Sequence, residues 1–243
     1  MVFLLTDDDM GFPDKLVDNR TVCLDHYYKN RRPNVAHHVP IKPFPGKHEG
    51  IDWVPFVLPT WRYVTKEQKL SILNGLQLKK QKPVISFIGN GHPKSPELIK
   101  QAVKNYQDFE IRIIAHKIPR ANWANSEEKH NMTVTFHQSV SGFEMFELLG
   151  SSNYVGFLDH NHEKHGEGRS ITSSIPNGMT AGCTLILPKK MNTWLNLQSA
   201  LLLEEGQPMQ LPTLVEEMNY DDVFEEREKL IQMRDKQLMA FID

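Results

Sequence analysis

From residue 83 onward, short apolar runs alternate along the chain with polar segments that carry helix signals. The apolar runs predict five β-strands, at residues 84–88, 111–115, 132–136, 154–158 and 183–187. The helix signals between them include Ser95-Pro96-Glu97, with a cap and a first-turn proline, and Ser141 with Glu144 at capping-box spacing. Strands that alternate with helices favour a parallel sheet covered on both faces, so we predict an α/β fold here.

The first part of the chain predicts a smaller unit. Residues 2–5 and 21–24 have the composition of short strands, and residues 65–78 have the leucine spacing of an amphipathic helix. A basic stretch at 79–82 then marks a boundary. We therefore predict an N-terminal α/β lobe with a linker helix at 1–82, a ligand-binding domain at 83–200 and a helical tail at 201–243. A strand at the very first residues is unusual, and from it we expect that a natural N-terminal portion is missing.

Composition and charge narrow the possible partners. A formal net charge of -2 favours neither nucleic acid nor an anionic membrane surface. The apolar runs are far shorter than the roughly 20 residues that span a bilayer, so we expect no transmembrane segment. Cys23 and Cys183 both fall in predicted buried strands, which is typical of free thiols in a reducing compartment. The start of the chain also lacks the basic leader of a signal peptide, and we predict a cytoplasmic protein.

The segment from Arg169 to Pro188 has the pattern of a polar loop, a short helix, a glycine turn and a buried strand. Ser173 or Ser174 suits the N-cap of the helix, and Gly182 suits the left-handed residue that ends it. A helix start that follows hydroxyls and an arginine favours anions, because unpaired N–H groups and the helix dipole point outward together. The simpler alternative is an ordinary serine-capped loop–helix–strand unit without a ligand.

Two further polar groups follow predicted strands. Gly89-Asn90-Gly91 lies between a strand and a helix, where α/β folds bind phosphate, although it lacks the third glycine of a dinucleotide fingerprint. The alternative is a turn that needs a positive φ angle. His137 and Gln138 follow another strand. Because parallel strands end at one edge of their sheet, we expect both groups to lie beside the Arg169–Ser174 loop.

Histidines supply two other candidate sites. His160, His162 and His165 have a spacing that mimics a zinc motif of metallo-β-lactamase-like hydrolases, but Lys164 replaces the aspartate and no histidine follows. We therefore predict a polar loop and no metal or other cofactor. Asp25 and His26 follow a predicted strand and form a candidate acid–base pair, because an oriented imidazole accepts protons at neutral pH.

The order of these elements, from the strand at 84–88 with Gly89-Asn90-Gly91, through Asn131–Leu149 and Ser152–Phe157, to Ser173–Leu187, resembles a known family. It is similar to the C-terminal, donor-binding domain of nucleotide-sugar glycosyltransferases of the GT-B type. The resemblance covers about residues 83–190 and implies a Rossmann-like parallel sheet flanked by helices. It also implies a shortened N-terminal lobe and a C-terminal helix that crosses back between the lobes.

This resemblance implies a transferase that moves a sugar from a nucleoside-diphosphate donor to the hydroxyl of a carbohydrate or other acceptor. The implied donor site comprises Gly89, Asn90, Gly91, His137, Gln138, Arg169, Ser173 and Ser174. His26, oriented by Asp25, would deprotonate the acceptor. A non-catalytic nucleotide- or carbohydrate-binding module is the first alternative, and a metal-dependent hydrolase is the second.

Overall fold

The structure, a computed structural model, describes residues 3–6, 21–25, 37–40, 64–89, 95–118, 120–124, 126–158 and 174–239. In these ranges the chain forms two parallel sheets. The smaller sheet has the order β1-β2-β3 and contains β1 (Phe3–Thr6), β2 (Thr21–Asp25) and β3 (His37–Pro40). The first two of these strands were predicted from the sequence.

The larger sheet has six strands in the order β6-β5-β4-β7-β8-β9, and every neighbouring pair is parallel. Its strands are β4 (Val84–Ile88), β5 (Glu110–Ala115), β6 (Thr133–Gln138), β7 (Tyr154–Gly156), β8 (Thr184–Pro188) and β9 (Leu201–Leu203). The predicted parallel α/β sheet is therefore confirmed, with one strand more than the five apolar runs indicated. That sixth strand lies within residues 201–243, the predicted helical tail, and the domain boundaries themselves stay predictions.

Seven α-helices are described. They are α1 (Lys66–Leu78), α2 (Pro96–Ala102), α3 (Ser126–His130), α4 (Gly142–Gly150), α5 (Ser174–Thr180), α6 (Lys189–Leu195) and α7 (Tyr220–Met239). The predicted capping box of α4 is present, because the Ser141 hydroxyl accepts from the amide of Glu144 while the Glu144 carboxylate accepts from the amide of Ser141. None of the described helices is both long and apolar enough to cross a membrane.

Alternate residues of the strands enter two different cores, so both faces of the large sheet are covered. On one face Ile85 and Phe87 of β4 pack with residues of α1, α2 and α7. On the other face Ile88 packs with residues of α4, α5 and α6. Successive side chains of a strand point to opposite faces, which explains why β4 and β8 are buried at every position.

Two large apolar side chains at helix ends lie outside the cores. Leu78 of α1 is 85% exposed and Phe143 of α4 is 57% exposed. Leu78 is the last residue of its helix and Phe143 the second of its own, where the chain leaves the core. Conversely, Lys69 is fully buried although its residue type favours the solvent side of a helix.

Candidate functional site

The candidate site lies at the carboxyl ends of the parallel strands, and Gly89 is its first residue along the chain. This residue directly follows β4 and has a φ angle of +57°, in the left-handed region that glycine adopts most easily. Among the described residues, a Cβ atom added there would meet no atom within 4 Å. An added side chain at Gly89 would therefore not collide with the described part of the chain. Asn90 and Gly91 lie outside the described residues.

His137 and Gln138 are the last two residues of β6 and lie at the same edge. His137 pairs in register with Ile114 of β5, and its ring is partly buried. Burial lowers the pKa of His137, and the nearby positive charge of Arg112 lowers it further. These effects favour the neutral imidazole, which offers one donor and one acceptor nitrogen. In the sheet order β5 separates β6 from β4, so the two strand ends lie about 10 Å apart.

Ser139, the residue after β6, adds a contact that sequence reasoning missed. Its φ angle is +54°, which is uncommon for a residue with a Cβ atom. Its amide donates to the Ala115 carbonyl at 3.1 Å, and its hydroxyl lies 3.1 Å from Nδ1 and 3.2 Å from the carbonyl oxygen of His116. When the hydroxyl donates to the carbonyl, its oxygen can accept from Nδ1 of the His116 ring. Only pairing between β5 and β6 brings these residues together.

The start of α5 reaches the edge beside β4. Ser174 is the first residue of the helix, and the residues directly before it lie outside the described ranges. The Ser174 hydroxyl donates to the Ile88 carbonyl at 3.0 Å, and the residue is 1% exposed. That bond ties the helix start to the last residue of β4, next to Gly89. The helix then ends at Thr180, and Gly182 has the predicted positive φ angle, +63°.

The remaining predicted site residues lie either elsewhere in the structure or in parts of the chain that the structure does not describe. Arg169 and Ser173 lie in the undescribed stretch before α5, as do His160, His162 and His165. Asp25 ends β2 of the small sheet, where the backbone alone is described, and His26 follows it outside the described residues. Within the described part of the chain, no group of three or more metal-binding side chains occurs. The structure thus places Gly89, His137, Gln138 and Ser174 at one edge of one sheet.

Comparison with solved structures identifies the fold. The chain has the fold of GT-B glycosyltransferases. It is similar to AviGT4, a glycosyltransferase involved in avilamycin A biosynthesis, with a TM-score of 0.56, 11% identity and coverage of 98% of this chain and 73% of AviGT4. It is also similar to HepE from Anabaena, which was solved in complex with UDP and glucose, with a TM-score of 0.50 and 9% identity. That match covers 82% of this chain and 58% of HepE.

A search of family profiles and a search of curated protein sequences each found no match. The likeness is therefore one of fold, in agreement with the resemblance that the order of elements gave.

Proposed function

We propose that this protein is a glycosyltransferase that moves a sugar from a nucleoside-diphosphate donor to a hydroxyl acceptor. The observation that carries the proposal is the carboxyl edge of the large sheet. There a left-handed glycine after β4, a half-buried histidine at the end of β6 and the start of α5 lie together in a GT-B fold. In open α/β sheets, ligands bind outside the carboxyl ends of the strands. HepE, of similar fold, was solved with UDP and glucose.

In this proposal the backbone at Gly89, Asn90 and Gly91 approaches the donor closely, because glycine leaves space there. His137 and Gln138 contact the donor from the end of β6. Ser174 positions the start of α5, since its hydroxyl is already bonded to the Ile88 carbonyl.

Arg169 and Ser173 are proposed to bind the diphosphate. During transfer the glycosidic bond to the diphosphate breaks, and negative charge develops on the leaving group. A guanidinium and a preorganised hydroxyl stabilise that charge, so the proposal needs no metal ion. His26, oriented by Asp25, takes the proton of the acceptor hydroxyl as that oxygen attacks the sugar. The cytoplasmic location stays a prediction from composition.

The first test is binding. A ligand that binds only the folded protein stabilises it by about 2.7 kcal/mol at a concentration of 100 times its Kd. We therefore expect nucleoside diphosphates and nucleotide sugars to raise the melting temperature, while the free sugars do so much less. A product assay with the best donor and a panel of hydroxyl acceptors then tests transfer. Binding without transfer or donor hydrolysis would favour the binding-module alternative, and no stabilisation by any nucleotide would reject the proposal.

Arg169 is the sharpest single residue to change. Arg169→Ala removes a charge-assisted contact of about 1.5–3 kcal/mol, which corresponds to roughly ten- to a hundredfold weaker nucleoside-diphosphate binding. Lys229→Ala is the matched control, because it removes one positive charge from an exposed position of α7, where Lys229 pairs with Glu225. Calorimetric titration should show unchanged affinity for the control. Equal affinity of Arg169→Ala and the wild type would exclude Arg169 from the site.

A further inference from the structure

A buried lysine of helix α1 contacts the end of α4 and the turns that precede β7 and β8. Lys69 is fully buried, and its Nζ atom lies 3.0 Å from the carbonyl of Leu149, 3.1 Å from that of Gly150 and 2.5 Å from that of Ser152. The Leu149 and Gly150 carbonyls belong to the end of α4, where the helix dipole is negative, and Ser152 follows two residues later. The contacts fix the amine in one position, although they come from residues about 80 positions away in the chain.

The fourth neighbour of this amine is a thiol. Cys183 lies directly before β8, is 1% exposed, and its Sγ atom is 3.4 Å from Nζ of Lys69. The Sγ atom is also 3.3 Å from the Leu149 carbonyl, which the S–H group can reach as a donor. The carbonyls that hold the amine thus also hold the thiol, and the two reactive atoms are in contact without any rearrangement of the backbone.

Burial favours the neutral form of both groups. It lowers the pKa of Lys69 and raises the pKa of Cys183, because a charged group loses its hydration in the interior. The charge of the other group opposes each of these shifts. A neutral amine has a free electron pair and is a nucleophile, and it can bond to the sulfur only after the thiol has been oxidised to a sulfenic acid. The pair therefore needs an activated sulfur before any bond can form.

We propose that Lys69 and Cys183 form an oxidative cross-link, a sulfenamide bond between Nζ and Sγ, when the protein meets hydrogen peroxide. In the first step the sulfur attacks the peroxide, the O–O bond breaks, and the thiol becomes a sulfenic acid with release of one water. In the second step the amine attacks the sulfur, the S–O bond breaks, and the hydroxyl leaves as water with a proton from nitrogen. Peroxide is the oxidant, and it accepts the two electrons that the sulfur loses.

The bond would connect positions 114 residues apart and tie α1 to the turn between α5 and β8. A covalent bond across so long a stretch restricts the unfolded chain, so the cross-linked protein unfolds at a higher temperature. A thiol reductant attacks the sulfur and returns the free amine and thiol. The pair is thus a reversible modification site that is independent of any donor or acceptor.

The test uses the full chain treated with hydrogen peroxide under native conditions. We expect the intact mass to fall by about 2 Da, the two hydrogen atoms lost in sulfenamide formation. Digestion should yield one linked pair of peptides, containing Lys69 and Cys183, that dithiothreitol separates. Cys23→Ser should give the same product, which excludes a disulfide between the two cysteines.

Lys69→Met removes the amine and keeps a side chain of similar length, so its Cys183 should stop at the sulfenic acid or a higher oxide. A gain of about 16 Da at Cys183 in the wild type, with the Lys69 peptide unlinked, would overturn the proposal. A linked pair of peptides whose mass does not correspond to the loss of two hydrogen atoms would also overturn it. Because the wild-type peptide map gives the answer directly, the test does not depend on whether Lys69→Met folds.

Discussion

Polar side chains at the two edges of the large sheet are used in different ways. Toward the amino edge, Arg112 from within β5 donates to the carbonyl of Leu148 near the end of α4 at 2.7 Å and to the hydroxyl of Ser151 at 2.9 Å, and it is 9% exposed. At the carboxyl edge, Gln138 is exposed and His137 is half-buried. A polar group that is buried against protein partners serves stability, whereas one that remains accessible can meet a ligand. The comparison assigns the two edges different roles, although both carry polar side chains.

The largest expected loss of stability follows from a substitution of Arg112, whose partners lie toward the amino edge. Arg112→Met should lower the free energy of unfolding by about 3 kcal/mol, because buried acceptors at the end of α4 lose a charged donor. Gln138→Ala is the control at the other edge, where an exposed substitution changes stability by about 0.5 kcal/mol or less. Urea unfolding followed by circular dichroism measures both. The distinction between the edges fails if the two variants are equally stable.

The next largest effect on stability is expected from Gly182, and Gly89, which is also left-handed, is its matched control. Gly182 has a φ angle of +63°, and an added Cβ would lie 2.4 Å from the ring of Phe224, whereas an added Cβ at Gly89 would meet no atom of the described residues within 4 Å. Gly182→Ala therefore adds overpacking to backbone strain and should cost about 3 kcal/mol. Gly89→Ala carries the strain alone, about 1 kcal/mol, and should also weaken nucleoside-diphosphate binding. Thermal unfolding and calorimetric titration separate these outcomes; a larger stability loss at Gly89 would contradict them.

The elements of the large sheet could be predicted because each rests on local patterns. Apolar runs, the cap at Ser141 and the glycine at 182 all act within a few residues. Strand β9 was missed, since three leucines after a polar segment fit a helix as well as a strand.

The contacts of buried polar groups could not be predicted in this way. Lys69 meets carbonyls 80 or more positions away, and His116 meets Ser139 only because β5 and β6 are neighbours. The strand ends that carry His137 and Gly89 were predictable from the parallel fold. The left-handed backbone of Ser139 was not, because a serine between two strand-like and helix-like segments carries no signal for it.

Removal of a helix cap should cause a smaller loss of stability. Ser141 caps α4 at the carboxyl edge, and Thr65 caps α1 with the same capping box. Ser141→Ala and Thr65→Ala should each cost about 1 kcal/mol of stability, because one backbone N–H loses its acceptor. Only Ser141→Ala should also change the affinity for nucleoside diphosphates, since α4 starts just after Gln138. Equal losses of affinity in both variants would mean that the effect is one of stability alone.

The smallest effect is the pH dependence that His137 contributes. Its pKa is lowered in the folded protein, first by burial and then by the charge of Arg112, whereas an unfolded histidine has a pKa of about 6.5. The unfolded chain therefore binds more protons near pH 6, and stability falls as the pH drops below about 7. His137→Gln removes this contribution, so the variant should lose less stability than the wild type between pH 7.5 and 5.5. Urea unfolding at both pH values measures the difference, and parallel losses in the two proteins would show that the ring is protonated as easily in the folded as in the unfolded state.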